Sequence, residues 1–136
     1  MTGNFVFTNA PSGTYYLEAR FRNLPIYRNG INTWSKAGGE PFSQVIGGSY
    51  DFTSAASQAF GNNLKLIGTT YTIYNGDAVQ NGTINLQDIL AISNDVTTFS
   101  TGYRNTDING DNVTTLPDLL IAFNNAASFV HQITPP

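Results

Sequence analysis

The sequence lacks several features that would place it in a common class of protein. It contains no cysteine, which excludes disulfide bridges and thiolate metal sites. Charged residues make up only 11% of its 136 residues, whereas typical soluble domains have ~25%. Its net charge of −3 argues against the basic surface of a nucleic-acid-binding protein. No apolar run approaches the roughly 18 residues that indicate a transmembrane helix, so we expect no membrane span.

Uncharged polar and aromatic residues take the place of the missing charges. Aromatic residues make up 12% of the chain, and Asn, Thr, Ser and Gly supply most of its polar character. This composition suits a β-rich surface and favours an extracellular or cell-surface location. Residues 1–13 have neither the basic nor the apolar region of a signal peptide, so a secretion signal would lie outside this sequence.

Residues 1–74 have the residue pattern of β-strands. The stretch TYYLEARFR (14–22) alternates apolar and polar side chains with a period of two, which predicts a half-buried antiparallel strand. Gly, Pro and Asn breaks separate it from shorter candidates, and SAASQAF (54–60) predicts one helical turn. This pattern predicts a small antiparallel β-sandwich. The other candidate strands are FVF (5–7), INTW (31–34), SYDFT (49–53), LKLIG (64–68) and TYTIY (70–74).

The period changes after residue 74, and we place a domain boundary at 74–76. Segments 86–96 and 116–130 have the spacing of amphipathic helices. The chain is therefore expected to be mainly β with an α-helical C-terminal part. The residues predicted to face the core are Ile89, Leu90, Ile92 and Val96 in the first helix and Leu119, Leu120, Phe123, Ala127 and Val130 in the second.

The C-terminal half repeats itself after thirty residues. DAVQNGTINLQDILAISNDVTTF (77–99) aligns without gaps on DINGDNVTTLPDLLIAFNNAASF (107–129). The identical positions include acidic residues that begin and end a 12-residue loop and apolar residues in the following helix. A chance match would not be expected to keep both sets. The identical pairs are Asp77/Asp107, Leu86/Leu116, Asp88/Asp118, Leu90/Leu120, Asn94/Asn124 and Phe99/Phe129.

The second loop (107–118) has the ligand spacing of a calcium site. Calcium takes 6–8 oxygen ligands, and a 12-residue loop supplies them from positions 1, 3, 5, 7, 9 and 12. Clustered carboxylates would repel one another without a cation between them. Asn112 occupies position 6, where the turn requires positive φ, and Asn tolerates that conformation. The predicted ligands are Asp107, Asn109, Asp111, the carbonyl of Val113, Thr115 through a water molecule, and Asp118.

The first loop (77–88) is a weaker version of the same pattern. Val79 at position 3 offers no oxygen, and position 5 holds an amide instead of a carboxylate, so we expect weaker binding or none. A plain alternative for both loops is an Asx-rich turn that caps the following helix. The candidate ligands here are Asp77, Asn81, Thr83, Asn85 and Asp88.

Two calcium loops that are each followed by one helix resemble the type I dockerin repeat. The resemblance covers about residues 75–131 and implies EF-hand-like loops whose calcium is needed for folding. It also implies docking onto a cohesin domain of a scaffold protein. The family's partner-contacting residues lie just before the last ligand, often as a Ser/Thr pair. Leu86 and Gln87, and likewise Leu116 and Pro117, occupy those positions here, which favours a different contact, within the protein or specific to its own relatives.

The stretch FVFTNAPSGTYYLEARF (5–21) is similar to the prealbumin-like, Ig-like sandwiches of bacterial surface proteins, such as carboxypeptidase-regulatory-like and collagen-adhesin B-type repeats. Phe7, Gly13, Tyr15 and Leu17 carry this resemblance. It implies an Ig-like sandwich with two strands before this point, yet only four residues precede Phe5. Either the first strands precede the given sequence, or a neighbouring subunit donates a strand; head-to-tail donation between identical subunits would build a filament.

The sequence raises two further candidate functions, binding of a sugar chain or anionic polymer and catalysis. An aromatic–basic strip could bind a sugar chain or an anionic polymer, although a solvated sheet face with Trp34 in the core explains the same residues. The sequence argues against an enzyme. Five of the seven aspartates fall in the loops, His131 is the only histidine, and no phosphate-loop, zinc or triad motif is present. The strip residues are Arg20, Arg22, Arg28 and Lys36 with Phe21, Tyr27 and Trp34.

The sequence as a whole favours a non-catalytic, extracellular, calcium-binding structural protein. We expect it to assemble with other chains, above all with copies of itself, as a fibre-like subunit at a bacterial surface. Docking onto a cohesin-like domain and carbohydrate binding remain the alternatives.

Overall fold

The computed structural model describes residues 9–20, 29–44, 46 and 48–136. Within these residues six short strands precede two helices; none of the strands exceeds three residues, whereas each helix has 12. The described residues thus form a small mixed fold of antiparallel strands and two helices, the helices lying in the C-terminal part as expected. The elements are β1 (Gly13–Tyr15), β2 (Glu18–Ala19), β3 (Thr33–Trp34), β4 (Glu40–Phe42), β5 (Lys65–Ile67), β6 (Thr70–Thr72), α1 (Leu86–Thr97) and α2 (Leu116–Ala127).

The strands form three separate two-stranded antiparallel sheets. β1 pairs with β4, β2 with β3, and β5 with β6. Strand pairing thus confirms strands within the predicted segments 31–34, 64–68 and 70–74. The single half-buried strand predicted at 14–22 is wrong: β1, which is exposed, and β2 belong to different sheets. β4 was not predicted, because Pro41 and the two preceding glycines indicate a turn rather than a strand.

Another predicted strand is wrong. Residues 49–53 form no strand, because Asp51 Oδ1 accepts hydrogen bonds from the Thr53 N–H (2.8 Å) and hydroxyl (2.6 Å), and this local Asx turn competes with strand pairing. The predicted helical turn at 54–60 is confirmed as two short 3₁₀ turns, Ala56–Gln58 and Phe60–Asn62. The predicted strand at 5–7 lies outside the described residues.

Both helices begin where the repeat predicts. Asn85 and Thr115 are the N-cap residues, and the carboxylates of Asp88 and Asp118 accept the N-cap N–H groups at 2.9 and 2.8 Å. These capping boxes satisfy backbone donors that the first helical turn leaves free. α2 ends at Ala127, three residues before the predicted end.

The helices lie antiparallel. An isolated bridge joins Thr83, just before α1, to His131, just after α2, and the equivalent bridge joins Thr101 to Val113. Between them lies a buried cluster in which equivalent positions hold one small and one large residue, so the two repeats fill one core together. Its members are Ala78 and Ile108, and Ile92 and Ala122.

The outer faces of both helices differ from the prediction. Ile92 and Val130 are buried as expected, whereas Leu90, Leu120, Phe123 and Ala127 are exposed. The physical reason is the narrow contact between two helices: each buries one stripe, and nothing in the described part of the chain covers the other side. Among the described residues, no helix is long and apolar enough to cross a membrane, as expected.

The predicted boundary at 74–76 is a place of contact between the two halves. The Ile31 N–H donates to the Tyr74 carbonyl (2.9 Å), and the Asn29 carbonyl accepts from Gly76 (2.6 Å) and Asp77 (2.9 Å). Ile31 is fully buried and belongs to a second apolar cluster with Ile84 and Val130. The N-terminal half therefore contributes to the core of the C-terminal half.

Gly76 should be intolerant of a side chain. Its φ is 123°, and a Cβ there would lie 2.9 Å from the Ala122 Cα. We expect Gly76→Ala to lower the free energy of unfolding by about 2–4 kcal/mol, because strain and overpacking add. Urea denaturation would measure this change.

Gly68→Ala is the matched control. Gly68 also has positive φ, at 62°, but its Cβ position is open. Only the backbone cost of roughly 1–2 kcal/mol should appear there. Equal losses in the two variants would show that the approach of Gly76 to α2 has no importance for stability.

Candidate metal centre

The second loop is organised around the carboxylate of Asp107. Its Oδ1 accepts the Gly110 N–H at 2.8 Å, and its Oδ2 accepts the Asn112 N–H at 2.9 Å. Asp107 is almost completely buried. The first predicted ligand thus lies at the base of the loop, with the backbone wrapped around it.

Asp118, at the other end of the loop, completes this base. It is fully buried, and its Oδ1 accepts the N–H groups of Ile108 (2.8 Å) and Asn109 (2.9 Å). Consecutive N–H groups of residues 108–110 are therefore divided between the two aspartates. The first and last predicted ligands thus accept hydrogen bonds from the same turn of backbone.

The middle of the loop forms an exposed rim. Asn109 Oδ1 accepts the Asp111 N–H (2.9 Å), and Asp111 Oδ1 accepts the Val113 N–H (3.0 Å). A further hydrogen bond of 2.9 Å joins Asn109 Nδ2 to Asp111 Oδ2. Thr115 caps α2, and Val113 forms a β-bridge with Thr101. A hydrogen bond or a β-bridge therefore fixes the position of each of the six predicted ligands.

The first loop has a similar geometry, although Asp77 Oδ1 accepts the N–H of Asn81 (2.9 Å) at position 5, whereas Asp107 Oδ1 accepts that of Gly110 at position 4. Asp77 Oδ2 accepts the Gly82 N–H at 2.9 Å, as Asp107 accepts that of Asn112. Asp88 Oδ1 accepts the Val79 N–H at 3.0 Å, and Asn81 Oδ1 accepts the Thr83 N–H at 2.9 Å. Asn85 caps α1. The five candidate ligands of this loop therefore occupy the same places as their counterparts.

Positive φ angles recur at matching positions of the loops. Gln80 (59°) and Gly110 (83°) occupy position 4, and Gly82 (80°) and Asn112 (74°) occupy position 6. The substitution of Asn for Gly at position 6 therefore leaves the predicted turn intact.

The acidic residues of the first loop interact electrostatically. Burial raises the pKa of Asp77, hydrogen bonds from Gly82 and Asn81 oppose this shift, and the charge of Asp88 raises the pKa further. Among the described residues, no Lys or Arg lies within ion-pair distance of Asp77, Asp88 or Asp118. The loops thus hold buried negative charge that a cation would stabilise.

The oxygen atoms present fit calcium better than a transition metal. In the described ranges no three Asp, Glu, His or Cys side chains form a group that could hold a metal ion, so Asp111 does not join Asp107 and Asp118 in a cluster of three carboxylates. Each loop brings two carboxylates to its base, and the remaining ligands would be amide, hydroxyl and carbonyl oxygens, which hard cations accept. The carboxylates at position 12 also cap the helices, so the helix-capping alternative predicts these same hydrogen bonds.

Two asparagines outside the predicted ligand set hold the second loop from the N-terminal side. Asn29 Nδ2 donates to the Asp107 carbonyl (2.8 Å), and Asn75 Nδ2 donates to the Ile108 carbonyl (2.6 Å). Asn125 Nδ2 donates to the Asn75 carbonyl (2.6 Å), and Lys65 Nζ donates to Asn125 Oδ1 (2.7 Å). Asn29 lies 78 residues from its partner, so no local pattern could have identified it.

The other sequence candidates gain little from the structure. Arg20 and Lys36 form ion pairs with Glu18 (2.7 Å) and Glu40 (3.2 Å), which reduces their availability to an anionic polymer. Trp34 is half-buried in β3. The remaining residues of the aromatic–basic strip, at 21, 22, 27 and 28, lie outside the described residues.

Comparison of the chain with protein-family models, with curated proteins and with solved structures finds no match.

The raised pKa of Asp77 predicts a pH dependence of stability in chelator. The folded protein holds this proton more tightly than the unfolded chain, whose Asp pKa is about 3.9. The stabilisation from the protonated group is fully present below that value and is lost as pH rises through the raised pKa. Urea denaturation at a series of pH values would measure it.

Asp77→Asn isolates this group from the other carboxylates, because Asn does not titrate. The stability of the wild type relative to Asp77→Asn should fall as pH rises through the window. Parallel pH profiles for the two proteins would contradict the interpretation.

Proposed function

We propose that this chain is a non-catalytic, extracellular, calcium-binding structural protein. In this proposal the C-terminal half is a dockerin-like pair of calcium loop–helix units, and the N-terminal half is part of an Ig-like β-sandwich. The chain assembles with other copies at a bacterial surface. A neighbouring subunit completes its sheet by donating a strand, so that the subunits form a fibre.

One observation carries the calcium proposal: both loops bury the carboxylates of positions 1 and 12 at their base, with the backbone wrapped around them. Buried charge is costly unless it is paired or coordinates a metal. A bound cation would neutralise the aspartates and would stabilise the folded chain by mass action. Calcium would thus supply folding free energy rather than chemistry.

The two loops should bind calcium with different strength. Asn109 and Asp111 add two oxygen ligands at the rim of the second loop. In the first loop Val79 offers no side-chain oxygen, and Asn81 is neutral. Because calcium affinity depends on the number of charged ligands, the second loop is the stronger site.

Open sheet edges support the assembly proposal. In the described part of the chain β2 pairs only with β3 and β5 only with β6, so the outer edges of β2 and β5 are unpaired there. Unpaired N–H and C=O groups at an edge are a template for a strand from another chain. Identical subunits joined head to tail in this way would form a filament.

Calcium should raise the thermal midpoint of the wild-type protein over that in chelator. A calcium concentration of 100 times the Kd would contribute about 2.7 kcal/mol. Asp111→Asn should remove most of this shift, since it deletes a rim charge while its Oδ1 can still accept the Val113 N–H. Scanning calorimetry with calcium and with chelator measures the shift for each protein.

Asp51→Asn is the control, because Asp51 is an exposed turn aspartate outside both loops. It should keep the wild-type calcium shift. An unchanged wild-type midpoint after chelation would refute the calcium proposal and would leave the aspartates as helix caps. Equal shifts for wild type and Asp111→Asn would remove the second loop as the principal site.

Strand donation predicts concentration-dependent polymers. Purified protein should form extended filaments in negative-stain electron microscopy, and their abundance should rise with protein concentration. A uniform population of monomers over the same range would contradict fibre formation without affecting the calcium result.

A further inference from the structure

The proposed calcium sites leave the apolar outer surface of the helix pair unexplained. Helices at a protein surface normally present polar residues to solvent. Here seven large apolar side chains on the helices or just beyond their ends are each at least half exposed. We call them the helix-face patch: Leu86, Leu90, Phe99, Leu116, Leu120, Phe123 and Phe129.

The repeat keeps this patch as strictly as it keeps the loop aspartates. The six identical pairs of the two repeats divide into two buried aspartate pairs and four pairs that are exposed. Three of these four are large and apolar: Leu86/Leu116, Leu90/Leu120 and Phe99/Phe129. Core packing in the monomer does not account for identity at exposed positions, whereas a contact outside the chain would.

The two phenylalanines add an independent observation. Phe99 and Phe129 follow α1 and α2 with φ of 47° and 54°, a conformation that Gly or Asn normally provides after a helix. Their side chains are 72% and 85% exposed, so burial in the monomer does not offset the strain. Strained residues of this kind concentrate at binding sites.

The patch has two equivalent ends. Leu86 and Phe129 line one hollow of about 530 Å³ beside Ala126. The bridges Thr83–His131 and Thr101–Val113 are equivalent in the repeat. Phe99 therefore lies near the start of α2, as Phe129 lies near the start of α1.

Charge argues for a second copy of the chain as the occupant. No exposed position of either helix carries a charged residue. Asp88 and Asp118 are buried, and Asp95 pairs with Arg104 (3.4 Å). Of the described residues that line the hollow beside Leu86 and Phe129, only His131 could carry a positive charge, so an anionic lipid surface or an acidic protein would find little attraction there. An identical face brings the same uncharged leucines and rings, with no like-charge repulsion.

The exposed area is also sufficient. Seven side chains that are at least half exposed present apolar surface on the order of 800 Å². This matches the ~800 Å² that each partner contributes to a standard interface.

We infer that the helix-face patch of one copy packs against the helix-face patch of a second copy. This inference rests on the proposed assembly role, but it assigns a contact to the helices, whereas strand donation concerns the sheet edges. A chain with both contacts could join neighbours at each of its halves.

The double variant Phe99→Gly/Phe129→Gly tests this contact without harming the fold, because Gly favours positive φ. Sedimentation velocity of the full chain in calcium, from micromolar to millimolar concentration, should show association of the wild type. The variant should associate on the order of tenfold more weakly or not at all. Its thermal midpoint should be equal to or higher than that of the wild type.

A second variant, Leu86→Glu/Leu116→Glu, adds charge to the patch at the first residue of each helix, where an acidic side chain is favourable. It too should weaken association. Ile46→Glu is the control: Ile46 is 87% exposed and lies outside both the patch and the strands. It should associate like the wild type.

The outcomes separate this inference from the proposed function. Association of both patch variants at wild-type strength would overturn the inference and would leave strand donation as the contact. A wild type that stays monomeric throughout would also overturn it, while the calcium shift of the same sample tests the calcium proposal independently. Weak association of both variants with a preserved calcium shift would support it.

Discussion

The C-terminal half depends on two carboxylates that are buried side by side at the base of each loop. They accept the N–H groups that the tight turns of the loop direct inward, and the second of them also caps the following helix. One side chain therefore fixes both the loop and the start of the helix. Moving Asp88 or Asp118 would disturb the turn, the cap and the helix register together.

This constraint extends into the N-terminal half through the loop backbone. The carbonyls of Asp107 and Ile108 accept hydrogen bonds from Asn29 and Asn75, and Gly76 allows the chain to pass close to Ala122. Ile31 then fills a core position beside Ile84 and Val130. The two halves differ in their sequence pattern, yet the described part of the structure joins them through a shared apolar cluster and a line of asparagines.

The two repeats divide their residues between two tasks. At the buried positions, a small residue in one repeat corresponds to a large residue in the other. Ala78 corresponds to Ile108, and Ala122 corresponds to Ile92, so the total core volume is kept while the residues change. Three pairs of exposed apolar residues, Leu86/Leu116, Leu90/Leu120 and Phe99/Phe129, are identical, whereas the exposed Phe123 has Ser93 as its counterpart. Fold and outer surface are thus encoded at different positions of the same thirty-residue unit.

By itself the sequence determined the loops and the helices. The spacing of Asp107, Asp111 and Asp118 and the repeat at thirty residues are local patterns, and loop closure and helix capping are local interactions, so position and role could be predicted together. The identity of the ion is a prediction from the same spacing.

Sequence could not determine what covers each side of a helix. Leu90, Leu120 and Phe123 have helical spacing and were placed in the core, but only two helices pack here, and the tertiary structure left that face exposed. The contacts of Asn29 and Gly76 with residues far along the chain were likewise decided by tertiary structure, because no periodicity records a contact between distant segments.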